Sequence, residues 1–114
     1  RYAAQCGSAN NDLISDNVNA AAASTIAIEF WYRDHGVDDD DNVFLQLFDG
    51  TNYIDRAELG ITAPEDTWRL YQATINCAGA DAKYFRSNFR IKFEGTSIDS
   101  QENLWIDDVK ITVQ

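Results

Sequence analysis

Trp31 and Trp68, set among cationic and amide side chains, are the residues of this 114-residue chain whose types suggest chemistry first. An indole offers a flat apolar face on which the C–H face of a sugar ring stacks, while Arg and Gln donate hydrogen bonds to hydroxyls. Trp31, Arg33, Gln46, Arg90 and Lys92 all stand out of phase with the apolar residues of their segments, so they are expected on a solvent face. Tyr53 and Tyr71 join them as weaker candidates. The competing reading is that the two indoles cap the rim of a core, with basic side chains snorkelling over them and the tyrosines buried behind bonded hydroxyls.

The acidic residues raise metal binding. The run Asp38–Asp41 lacks the D-x-D-x-D-G spacing with a distal glutamate that wraps a loop round calcium, so a solvated acidic loop is expected there. Asp107 and Asp108 are different, because an acidic pair inside an apolar segment needs a partner. Backbone amides at a bulge, Arg90, Lys92 or a cation all qualify. His35 is the single histidine, which nearly excludes a histidine-based triad or a multi-histidine metal site. No nucleophile elbow, phosphate loop or HExxH occurs, and no carboxylate pair is marked out for glycoside hydrolysis. The chain reads as a non-enzyme.

Cys6 and Cys77 are too far apart for CxxC redox chemistry or zinc spacing. An even cysteine count in a small acidic chain favours a Cys6–Cys77 disulfide over two buried free thiols. The formal net charge of −10 disfavours nucleic acid and anionic membrane surfaces as partners. No apolar run approaches the roughly 20 residues needed to cross a bilayer. There is no Asn-x-Ser/Thr sequon. The chain holds no methionine, so Arg1 is not a translation start and a processed product or an excised piece is expected.

The elements that must carry these residues are strands. In Ile26–Arg33 the residues Ile26, Ile28, Phe30 and Tyr32 share one side, and Ala27, Glu29, Trp31 and Arg33 the other. Further alternating segments are expected at residues 1–8, 13–18, 42–48, 53–59, 67–76, 88–94 and 104–113, with a loop from Asp34 to Asn42 and a hairpin turn at Asp49-Gly50. The last segment carries two apolar phases, Leu104 and Ile106 against Val109, Ile111 and Val113, so the backbone must bulge or change sheets near Asp107-Asp108. Seven or eight such strands without a long helix make one all-β domain, an antiparallel β-sandwich over residues 1–114.

FWYR at Phe30–Arg33, the Asp49-Gly50 turn, Trp68, FRIKFEG at Phe89–Gly95 and WIDDVKIT at Trp105–Thr112 occur in an order that resembles two groups of extracellular jelly rolls. One is the MAM type. The other comprises jelly-roll carbohydrate-binding modules attached to bacterial polysaccharide enzymes and surface proteins. The resemblance implies a jelly roll that works outside the cell, binds a polysaccharide or glycan without transforming it, and holds a structural calcium near Asp107 and Asp108. MAM domains carry more cysteines, which favours the bacterial or archaeal branch. Relatives of both kinds begin with an extra strand that has no counterpart before Arg1. The alternative reading is therefore a structural or adhesive surface protein, a fibre subunit completed by a β-strand donated from a neighbouring copy.

Overall fold

The computed structural model describes residues 4–7, 13–35, 43–59, 66–94 and 103–114; of residues 4–7 and 103 it describes the backbone alone. Eight strands form among them: β1 Ala4–Gly7, β2 Leu13–Ile14, β3 Thr25–His35, β4 Phe44–Phe48, β5 Tyr53–Glu58, β6 Arg69–Asn76, β7 Ile91–Glu94 and β8 Asn103–Val113. A short 3-10 turn, Gly79–Tyr84, stands between β6 and β7.

Every pairing is antiparallel, and the strands divide into sheet A, in the order β1-β8-β3-β6, and sheet B, in the order β2-β7-β4-β5. That order is the double Greek key of a jelly roll. Alternation decides which residues meet between the sheets. Ile26, Ile28 and Phe30 of β3 and Ile75 of β6 face Leu45 and Leu47 of β4 and Ile91 and Phe93 of β7, and all are buried. Phe30 is the centre of this layer. Its ring stacks on Tyr71 at 4.9 Å and meets the edge of Phe93 at 4.8 Å. Removing one such ring from water contributes about 2–3 kcal/mol.

The conflict of phase in β8 is resolved by a bulge. Glu29 pairs with Lys110 and Trp31 with Asp107, so β8 spends one residue more than β3 over that step. Asp108 takes up the extra residue at φ 53°, and the Asp107 carboxylate accepts its N–H at 2.8 Å. Before the bulge Leu104 and Ile106 point into the core; after it Ile111 and Val113 do. At the β4–β5 hairpin, Gly50 has φ 99°, a backbone conformation that favours glycine, and the Arg86 side chain lies over it.

Two expectations fail. β3 runs on through Asp34 and His35, because Asp34 continues the inward phase and its buried carboxylate meets Arg69 Nη1 at 3.4 Å. The Cys6–Cys77 disulfide is also excluded. Cys6 pairs with Leu104, which pairs with Asp34, whereas the Cys77 amide bonds to the carbonyl of Ser24. Those ends of β3 lie ten residues apart, roughly 30 Å, against about 7 Å for a bridgeable pair. Cys77 is an exposed free thiol.

Candidate functional site

The outward residues of sheet A fall into rows across β6, β3 and β8. Thr74, Ala27 and Thr112 form one row, Gln72, Glu29 and Lys110 the next, then Leu70, Trp31 and Asp107. Arg33 and Trp105 follow on β3 and β8. Because the first row carries only small side chains, a trough of about 420 Å³ opens over it. Its wall is fixed. Gln72 Nε2 donates to the Glu29 carboxylate at 2.6 Å, with Lys110 on the other side of Glu29. That hydrogen bond sets the amide's orientation and leaves its carbonyl available as an acceptor.

Trp31 is half-buried and lies one row from the trough. Arg33 lies beyond it, with its guanidinium 4.6 Å from the centre of the Trp105 ring and 3.8 Å from the Asp66 carboxylate, which also meets His35 Nδ1 at 3.1 Å. Trp68 immediately precedes β6, at the same end of the sheet as Arg33, and is half-buried. Sequence reasoning passed over Trp105. The signal that marks it is its spacing of two residues from Asp107, which places it on the face that carries Trp31.

The other predicted residues lie elsewhere. Gln46, Tyr53, Arg90 and Lys92 belong to the outward face of sheet B, on the far side of the sandwich from Trp31. They interlock there. The Arg90 guanidinium sits 3.7 Å from the Phe48 ring centre, Nε donates to the Tyr53 hydroxyl at 2.6 Å and Nη1 to Asn17 Oδ1 at 3.1 Å. Lys92 Nζ is 4.9 Å from the Tyr53 ring centre, and Gln46 donates to Asp55 at 2.8 Å. A single ligand surface through all seven residues therefore does not exist, because equal phase within a strand does not tell which sheet the strand joins. Tyr71 points into the core, and burial pushes its phenol above the ordinary value of 10.0.

Asp107 is buried and tied to the bulge, Asp108 is exposed, and among the described residues no three ligating side chains converge. The run Asp38–Asp41 lies outside the described residues.

Fold and site together define a small all-β jelly roll with a hollowed outer face on sheet A. No protein-family model matches the chain, and no curated protein matches its sequence.

Proposed function

We propose that the protein is a non-catalytic carbohydrate-binding module whose ligand lies on the outer face of sheet A. The trough carries this reading. It brings a carboxylate, an amide, an ammonium and two hydroxyls round a small apolar floor, with an indole in the next row. Its volume of about 420 Å³ falls within the range of small-molecule sites. Such a mixture of donors and acceptors replaces the hydration of a polyhydroxylated ligand, and an apolar floor with an indole nearby suits its C–H faces.

Affinity electrophoresis in gels cast with different polysaccharides tests it. One or more polymers retard the protein, Trp31→Ala weakens that retardation by about tenfold or more, and Gln72→Ala does so while preserving the melting temperature. Retardation unchanged by both substitutions, or none by any polymer, removes the proposal.

A further inference from the structure

Strand β8 is paired with β3 along its length, and among the described residues β1 covers its first four residues, Asn103–Ile106, on the other side. The core-facing side chains record where that cover stops. Leu104 and Ile106 are 0% and 1% exposed, whereas Val109, in the same inward phase after the bulge, is 42% exposed and Ile111 and Val113 are only partly buried. Edge position by itself does not cause this. Ile75 on the opposite edge strand β6 is 1% exposed, and the turn Gly79–Tyr84 packs beside that strand. The matching edge of sheet B is covered too, since Ser15 N–H bonds to the Ile91 carbonyl at 2.9 Å and Val18 N–H to the Phe89 carbonyl at 2.7 Å. A cavity of about 250 Å³ lined by Ala22, Ala23 and Val113 lies at the end of the uncovered stretch.

We propose that Val109–Val113 is a docking edge for a second copy of this chain, joined antiparallel through the same five residues. The sequence of the edge is self-complementary. With a two-fold axis at Ile111, Val109 faces Val113 of the second copy and Ile111 faces its own equivalent, so the inward positions stay apolar. Lys110 faces Thr112, so no like charges are set opposite each other. Pairing gives the exposed N–H and C=O groups partners and covers three aliphatic side chains. It also sets two sheet-A troughs on the same side of one continuous sheet, because Lys110 and Thr112 line each of them. The edge pairing itself does not depend on what the troughs bind.

Sedimentation velocity from micromolar to millimolar protein tests the pairing. A reversible dimer is expected, and it tightens as salt screens the −10 charge on each copy. Val109→Lys, at an exposed position, weakens the dimer by about tenfold or more with its melting temperature preserved. In a Cys6→Ser, Cys77→Ser background, Ile111→Cys cross-links the dimer on oxidation and Leu70→Cys, on the opposite edge, does not. A monomer at every concentration, a dimer indifferent to Val109→Lys, or cross-linking through Leu70→Cys instead overturns the proposal. So does a monomer whose Val109, Ile111 and Val113 amides, which point away from β3, resist hydrogen exchange, since that edge then holds a strand of its own chain.

Discussion

The two outward faces of the sandwich are built from the same kinds of residue on the same alternation, yet one is hollow and the other filled. On sheet B the outward positions Phe48, Tyr53, Arg90 and Lys92 are large, and the cations lie on the rings. A guanidinium placed 3.7 Å from a ring centre occupies the face a sugar would use. On sheet A the corresponding layer contains Ala27, Thr74 and Thr112, and the space above them is open to a ligand. Availability is thus decided by the size of the side chains beside the functional groups as much as by the groups themselves.

The largest expected effect lies beneath the sheet A face. Asp34→Ala leaves Arg69 without the carboxylate that meets it in the interior, and stability measured by urea unfolding falls by about 3 kcal/mol. Ala27→Leu is the direct test of the comparison, because it gives sheet A the fullness of sheet B. Polysaccharide affinity drops by about tenfold, or ~1.4 kcal/mol, while the melting temperature holds. Arg90→Gln probes the other face. It removes the bond to Tyr53 and the contact with Phe48 and costs about 1 kcal/mol of stability, with polysaccharide affinity unchanged. A loss of affinity with Arg90→Gln would transfer the ligand to sheet B.

The smallest effect is a pH dependence at the β4–β5 turn. The Asn52 N–H and then the Thr51 N–H, at 2.7 Å and 2.9 Å, hold the Asp49 carboxyl below its ordinary value of 3.8. The unfolded chain therefore takes up this proton first as pH falls. The turn's contribution is whole above about pH 4 and is lost as pH drops through the lowered value. Amide exchange at Thr51 and Asn52, compared between wild type and Asp49→Asn, reads this: only the wild type responds to acid.

Much of this architecture was legible in one dimension. Period-2 alternation locates the strands, and the two apolar phases around Asp107-Asp108 require a bulge or a change of sheet, of which the structure takes the bulge. The Asp49-Gly50 turn was readable because a left-handed glycine and an Asx bond are local demands. The site was legible only in pieces. Trp31 and Arg33 were correctly set outward, but Asp34 was assigned to a loop although it continues the inward phase to meet Arg69.

Alternation is a property of neighbouring residues, so the amino-acid sequence by itself determined which side of its strand each side chain takes. Strand order is a property of the closed sheets. Only the tertiary structure decided that Trp31 and Arg90 face opposite ways out of the molecule, that Cys6 and Cys77 stand at opposite ends of β3, and that small side chains from three strands meet to form a trough. Each of those outcomes joins residues distant in sequence, and no local periodicity carries their separation in space.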